Sequence, residues 1–600
     1  MQQQPGPSRN VRKCVRSLTD EQISEIVNDS DSDYFDIDEL DELAESESIR
    51  PPPAEIPVPQ DCATPFETQP RRGQKRVREP TTDSDLGWKL NIQPSDRPLF
   101  CGQPGVNPDL DIGPDSTPID IFRLLFTDEI FRLIQTETNR YADQQINKEK
   151  QKGPLKKKSV YTLWKNVSMK EIKIFFSIII HMCLVRKPQL RDYWSTTPIL
   201  QTSYTSSVGM SRDRFLAIFT MLHVNDNNTR IPRGQPGHEP THKIKPILDH
   251  LTSQFRQLYT PTETLTIDEA ICAFRGRVFF RVYIKGKPHK YGMKIYELCE
   301  ASSGFVCNME VYDGTHEGVE NYNAPFNVVD RLCDPIKHNW YTVYMDRFFT
   351  SPKLFDHLWN SGVKAVGTIM ANRKEMPKQH FSKKIKKGEK LVAQRGPLLA
   401  IKWCDVRDVF IITTAHDDNT LEMPRSRGAH QKTKPEAVVQ YNKYKIGVDK
   451  SDQLLSYYSF QRKSVKWWKK LFFHLFDLAI VNSHILHQKQ ATQKIRLRQF
   501  LEKIADGLVA EVGTELTQQT QHGPGGRLVG RNHFPFRIPA TGTKQKWASQ
   551  RTCRVCADKA KHETGKTAHK YTTVYCETCD VGLCLGQCFQ AFHTKAKYWE

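Results

Sequence analysis

No stretch of these 600 residues has the length and apolarity of a membrane span. The nearest, Ile174–Val185, contains His181 and falls short of the ~18–20 residues a bilayer helix needs. The opening MQQQPGPSRN lacks an apolar signal region, so neither secretion nor a membrane partner is expected. Acidic charge is scarce beside basic charge. Asp and Glu number 68 against 87 Lys and Arg, a net charge of +19. That balance points to an anionic partner such as nucleic acid. Cysteine is thinly spread except in one place, where six of fifteen crowd into Cys553–Cys588. The unevenness excludes a secreted disulfide scaffold and fits a reducing compartment with one metal-binding region. What is present, 38% hydrophobic and 10% aromatic residues, suffices for several cores. At ~150 residues per domain the length implies about four modules.

Residues 1–117 read as a disordered tail, rich in Pro, Ser, Asp and Glu and without a sustained period. Asp29–Glu47 holds ten acids and no Lys or Arg, a block that repels itself and stays solvated. Arg71–Arg78 (RRGQKRVR) reads as a nuclear import signal, so the expected location is the nucleus. Residues 118–263 are mainly helical. Ser168-Met-Lys-Glu171 is a capping box opening IKIFFSIIIHMCLV, and Ser211 caps RDRFLAIFTML. From Thr264 the texture turns to strand: TLTIDEA, YGMKIYELCE and FVCNMEVY are rich in Ile, Val and Tyr. A helix near Asn321–Leu332, the strand YTVYMD, the helix SPKLFDHLWNSG and the strand VKAVGTI follow. Three strands, helix, strand, helix, strand is the order of an RNase H-like core, assigned here to 264–372. Its closing helix is delayed by a basic, Pro-bearing insertion, 373–435, with a strand pair around LLAIKW and DVFIITT. The core resumes over 436–456, a helical region over 457–535 follows, and a linker, 536–552, leads to the cysteine-rich 553–600.

Acidic residues stand at selected places in this order. Asp268 follows three β-formers, Asp346 ends YTVYMD, and Asp449 and Asp452 lie three apart on one helical face in GVDKSDQ. An Asp at the end of a core strand is held by the sheet and points to open solvent. Phosphodiester chemistry in this fold uses such acids to hold two Mg²⁺ ions around the attacking and leaving oxygens. One Asp alone reads as a turn residue or cap; acids in the first strand, fourth strand and final helix together do not arise readily by chance.

The stretches TIDEAICAFRGRVFFRVYIKGKPHKYGMK, YMDRFFTS, GTIMANRKEMP and YNKYKIGVDKSDQLLSYYS resemble, in order and spacing, the piggyBac-superfamily transposases. The resemblance covers roughly 118–600 and is nearest to the vertebrate branch. It implies an α+β multidomain protein: an RNase H-like DDE/D core carrying an insertion, a helical dimerisation and DNA-binding domain split around it, and a C-terminal zinc-binding cross-brace. It puts the catalytic acids at Asp268, Asp346 and Asp449, with Asp452 as a fourth. It further implies a homodimer acting on double-stranded DNA, namely terminal inverted repeats and a TTAA target, through hairpin ends. The rival expectation is a domesticated DNA-binding protein without transposition activity. One departure is Met370, where many members carry Arg; the basic position three residues later is kept as Arg373, which is expected to bind DNA.

Phe460–Lys470 interleaves five cations with three aromatics directly after the last acids. Arg462, Lys463 and Lys466 suit phosphates, and Trp467, at a family Trp position, suits an exposed base, although packing of the tryptophans in the following helix is an equal expectation. Arg275, Arg277, Lys285, Lys287 and Lys290 form a second basic stretch beside the first acid. Cys553-x₂-Cys556, Cys576-x₂-Cys579, Cys584, Cys588 and His593 have zinc-ligand spacing. Seven ligands are one short of two Zn²⁺ ions. In a cross-brace, Cys553, Cys556, Cys584 and Cys588 share one ion. Cys576, Cys579 and His593 share the other with an eighth ligand, for which His562 and His569 are the candidates.

Overall fold

The computed structural model describes residues 83–599 apart from 84–85, 156–158, 285–289, 315–323, 424–432, 461, 514–532, 539–549, 566–568, 578 and 596. The acidic block, the Arg71–Arg78 cluster, Lys285 and Lys287 lie outside the described residues. Among the described residues no helix is long and apolar enough to cross a membrane. The chain divides into two compact units. One runs to Thr127 and resumes over Val224–Leu497; the other comprises Asp128–His223 and the chain from Arg498.

The first unit is built on a nine-stranded mixed sheet. In chain order its elements are α1 (Pro118–Leu125), α2 (Lys245–Leu258), β1 (Thr264–Ala273), β2 (Arg281–Tyr283), β3 (Tyr291–Glu300), β4 (Val306–Val311), α3 (Ala324–Cys333), β5 (Thr342–Met345), α4 (Pro352–Asn360) and β6 (Lys364–Thr368). Then come β7 (Lys390–Arg395), β8 (Leu398–Cys404), β9 (Asp408–Thr413), α5 (Glu436–Tyr444), α6 (Gly447–Tyr457) and α7 (Trp467–Gln490). The sheet order is β2-β3-β1-β5-β6-β9-β8-β7, with β4 on β3. Strands β1, β5 and β6 run parallel, and the remaining pairs are antiparallel. Thr342–Met345 is buried at every position, as a parallel strand covered on both faces must be. Helix α7 is apolar around most of its circumference and is accordingly a core helix; it packs on α1, α2 and β1.

Two findings refine the sequence reading. The insertion carries β7 to β9 and a short antiparallel pair, Thr420–Glu422 with Thr433–Pro435, and β9 pairs with β6, so it extends the core sheet. Part of the tail read as disordered is bound to the first unit. Lys89 bridges Gln394, the Trp88 indole donates to the Glu375 carbonyl at 2.8 Å, and Arg97 pairs with Asp417 at 3.0 Å. Those contacts are about 300 residues away in sequence and leave no local period to read. The contact boundaries also fall inside the helical stretch expected over 118–263, because α1 and α2 pack with α7.

In the second unit, the helix Met169–Leu184 opens with the anticipated capping box: Ser168 Oγ accepts from the Glu171 amide, and Glu171 accepts from the Ser168 amide at 3.0 Å. Arg214 ties the helix Arg212–Met221 to Glu171 at 2.6 Å. Ser177, at the centre of Met169–Leu184, is buried and donates to the Ala505 carbonyl at 3.1 Å, joining the two sequence-distant parts of this unit.

Candidate active site and zinc centres

Strands β1 and β5 pair in parallel with Ile267 opposite Met345, so Asp268, inside β1, comes beside Asp346, the residue after β5. Asp346 begins a tight turn: its Oδ1 accepts from the Phe348 amide at 2.8 Å, and its carbonyl accepts from the Thr350 hydroxyl at 2.7 Å. The turn fits only because residue 367 in β6 is glycine; a Cβ there would stand 2.2 Å from Thr350 Oγ1. Burial pushes the Asp346 carboxyl above its ordinary pKa, and the neighbouring Asp268 charge adds to this against the Phe348 and Phe349 amides and Arg347.

The third acid arrives on α6, whose first turn lies on β1. The Thr266 hydroxyl donates to the Tyr444 carbonyl at 2.6 Å, and a Cβ on Gly447 would meet Thr266 Oγ1 at 2.8 Å. Lys450 Nζ donates to the Ala301 and Ser302 carbonyls at 2.8 Å each, fixing the helix against the end of β3. Asp449 is exposed in the first turn, and Asp452, half-buried, follows three residues later. Burial pushes the Cys299 thiol of β3 well up, and the Glu297 carboxylate, with Asp452 as a smaller contributor, adds to it. Glu297, fully buried, is the cross-strand partner of Asp268, a carboxylate the sequence reading did not single out. Strands β1 and β3 and helix α6 thus bring acidic residues to one region. Among the described residues no three carboxylates have oxygens within 4.8 Å of one another; the chemistry of the set, hard oxygen donors on rigid elements, suits a hard divalent cation rather than a softer metal.

The basic candidates divide by what they touch. Arg373 donates to the carbonyls of Thr350, Arg347 and Phe348 at 3.1, 2.9 and 2.8 Å, and so braces the Asp346 turn. Met370 is 43% exposed nearby. Arg275, Arg277, Lys290 and Lys463 are exposed; Arg462 and Lys466 are half-buried. Trp467 is half-buried, edge-to-face with Phe280 at 5.2 Å, whereas Trp468 is buried in α7. The stretch before α7 is pinned twice. Asp477 Oδ2 accepts from the Phe460 amide at 3.0 Å, and Lys470 Nζ donates to the Arg462 carbonyl at 3.2 Å.

The cysteine region forms two four-ligand groups, Cys553–Cys556–Cys584–Cys588 and His533–Cys576–Cys579–His593, each with its donor atoms within 4.8 Å of one another. The pairs interleave along the chain, which is the cross-brace. Four sulfurs in one group and two sulfurs with two imidazoles in the other are zinc donor sets. His593 Nδ1 contacts the Phe589 carbonyl at 2.7 Å, which turns Nε2 toward Cys579 at 3.6 Å. The residue that completes the second group is His533, where the sequence offered His562 or His569. His533 Nδ1 lies 3.5 Å from Cys576 Sγ and 3.4 Å from Cys579 Sγ, while His562 stacks on Trp599 at 4.9 Å.

Residues 117–484 match the protein family described as Transposase IS4, and residues 541–594 match a DDE_Tnp_1-like zinc finger, which begins after His533. PiggyBac transposable element-derived protein 3 of Homo sapiens is 25% identical over 496 residues, covering 80% of this chain and 76% of that protein. PiggyBac transposable element-derived protein 2 of Homo sapiens is 26% identical over 446 residues, covering 70% and 69%. Among solved structures, the cryo-EM structure of the piggyBac transposase synaptic complex with hairpin DNA superposes with a TM-score of 0.59 at 26% identity, covering 71% of this chain and 85% of that one.

Proposed function

Since this chain belongs to the piggyBac-type transposases, we propose that it is a Mg²⁺-dependent cut-and-paste DNA transposase that works as a homodimer in the nucleus. The observation that supports this most is the placement of Asp268, inside β1, beside Asp346, the residue that follows the parallel strand β5, with the first turn of α6 carrying Asp449 seated on β1. Asp268, Asp346 and Asp449 are the proposed Mg²⁺ ligands, with Asp452 accompanying them. Bound there, the ions supply Lewis acidity at the attacking and leaving oxygens of an in-line displacement.

The protein's own part is positioning. The Phe348 amide and the Arg373 brace fix the direction of the Asp346 carboxylate. Arg275, Arg277, Lys290, Arg462, Lys463 and Lys466 meet DNA phosphates, and Trp467 supports an exposed base at the hairpin. In this reading water opens the 3′ end of the transposon and the freed hydroxyl attacks the opposite strand. The resulting hairpin is reopened, and the same hydroxyl attacks a TTAA target. Every step is an attack at phosphorus, so one cluster of acids serves all. The zinc module, with Zn²⁺ held by its two four-ligand groups, binds the terminal inverted repeats.

The test is excision from a plasmid carrying the DNA that flanks the gene. Asp346→Asn keeps the side-chain shape and removes its charge; it should abolish excision and leave end-binding within about threefold of wild type. The human relatives are named as transposable element-derived proteins, which supports a second outcome: wild type that binds ends and never cleaves them is a domesticated DNA-binding protein.

A further inference from the structure

The turn that joins β3 to β4 is built around Glu300, the last residue of β3, whose side chain is fully buried. A buried carboxylate is costly unless it is paired and hydrogen-bonded, and this one is both. Its Oε1 accepts from the Tyr259 hydroxyl at 2.7 Å and from the amide and hydroxyl of Thr262 at 2.9 Å each. Its Oε2 accepts from the Ser303 hydroxyl and pairs with Lys489 Nζ, in the last turn of α7, at 2.8 Å. Against burial, the bonds from Lys489, Ser303, Thr262 and Tyr259 hold its carboxyl down at about 2, so it is charged at neutral pH. One side chain thus ties together the chain entering β1, the β3–β4 turn and the end of α7.

The same turn seats α6. The two carbonyls that receive Lys450 Nζ, those of Ala301 and Ser302, lie between Glu300 and Ser303 in the chain. Gly304, at φ +80°, passes so close to the helix that a Cβ would stand 2.9 Å from the Ser451 amide nitrogen and 3.0 Å from Lys450 Cβ. A Cβ on Gly447 would come to 3.2 Å from Ala301 Cα. Residues on both sides of Asp449 therefore touch the turn, while Asp449 itself is exposed. The turn's own sequence, Ala-Ser-Ser-Gly, carries no large side chain that packing could fix. What holds it is Glu300: its carbonyl accepts from the Gly304 amide at 2.9 Å, and its carboxylate holds the Ser303 hydroxyl, which in turn accepts from the Phe305 amide at 3.2 Å.

We propose that Glu300 is a positioning residue for the acid site: by fixing the Ala301–Gly304 turn it sets the seat of Lys450, and with it the placement in which α6 presents Asp449 to a divalent cation. Groups that orient a metal ligand without touching the metal change its affinity by about 10–100-fold when removed. The inference rests on the transposase reading, and its test separates the two.

Full-length protein is titrated with Mn²⁺, an oxygen-seeking probe ion, and the free ion is followed by electron paramagnetic resonance. The acid site is the binding that Asp449→Asn removes. Lys450→Met keeps the stem and removes both carbonyl bonds. Ser303→Ala cuts the hydroxyl that joins Glu300 to the turn and leaves the Lys489 pair in place. Glu300→Gln keeps the shape and removes the charge opposite Lys489. Mn²⁺ affinity at the acid site should fall about tenfold in Lys450→Met and Glu300→Gln and about threefold in Ser303→Ala. The Mg²⁺ concentration for half-maximal end cleavage should rise by the same factors, with end-DNA affinity unchanged. Arg97→Ala breaks another ion pair of the first unit and should lower the thermal midpoint without moving either metal value, which separates positioning from general loosening. Wild-type Mn²⁺ affinity and Mg²⁺ requirement in Lys450→Met or in Ser303→Ala overturn the proposal, whether or not Glu300→Gln folds. Wild type that binds Mn²⁺ at this site, loses it in the variants and never cleaves upholds the positioning and overturns the transposase reading. Wild type that neither binds Mn²⁺ there nor cleaves overturns both.

Discussion

Asp477 shows how a single buried residue pins the stretch that precedes α7. It lies in α7, 5% exposed, with one oxygen on the Phe460 amide and the other without a hydrogen-bond partner among the described residues. Burial pushes its pKa up to about 8, against the Phe460 amide and the Lys470 charge. The other titratable groups nearby stay neutral: burial pushes Cys272 up to about 12 and His474 down to about 4. A folded-state pKa above the unfolded value of 3.8 contributes stability that is complete below about pH 4 and lost as pH rises through about 8. Asp477→Asn, which keeps an acceptor for Phe460, should therefore raise the thermal midpoint by several degrees at pH 9 and change it little at pH 4. Thermal denaturation at the two pH values checks this; equal shifts at both show that no proton is involved. His533 makes a second residue-scale prediction. His533→Ala should halve the zinc content, read by elemental analysis of purified protein, whereas His562→Ala should leave it unchanged. The six cysteines were legible because their spacing is short and repeated. His533 was not: it lies 43 residues before Cys576 and has no second Cys or His within a knuckle's spacing of it in the chain.

At the scale of elements, α6 is held on β1 by the absence of a side chain at 447. Gly447→Val would drive a branched side chain into Thr266 and the Ala301 backbone, where even a Cβ comes to 2.8 and 3.2 Å. Overpacking of this kind costs about 1–3 kcal/mol, relieved here by pushing α6, with Asp449, off the sheet. The expected outcome is a lower thermal midpoint and at least a hundredfold loss of excision, with zinc content intact; wild-type excision by Gly447→Val would show that the seating of α6 does not matter. The strands and this helix were legible from residue type and order, since Thr264–Ala273 and Thr342–Met345 are dense in β-formers and each leads to or contains an Asp. The bound segment around Trp88 and Arg97 was not. It has no period, and what orders it is contact with β7 and the residues near Asp417. The join of β9 to β6 was equally hidden, because a strand's sequence does not state its partner.

For the whole molecule, the proposed division is that the net charge of +19 and the interleaved zinc module hold DNA while the acids cut it. Binding through many phosphate contacts should weaken steeply with salt, by about 10³-fold or more between 50 and 200 mM if six or more contacts form. Cys576→Ser replaces a thiolate with a poor zinc ligand and should empty one centre. End-DNA affinity should then fall while the melting transition of the first unit stays in place. Retained end affinity in a zinc-depleted variant would assign end recognition to another part of the chain. The most direct measurement is cleavage itself. Purified wild type and Asp346→Asn are incubated with labelled end DNA and Mg²⁺, and the products are resolved under denaturing conditions. The account predicts a nick at the transposon end and a hairpin product with wild type, and intact DNA with Asp346→Asn at equal binding. Equal cleavage by both proteins would contradict it.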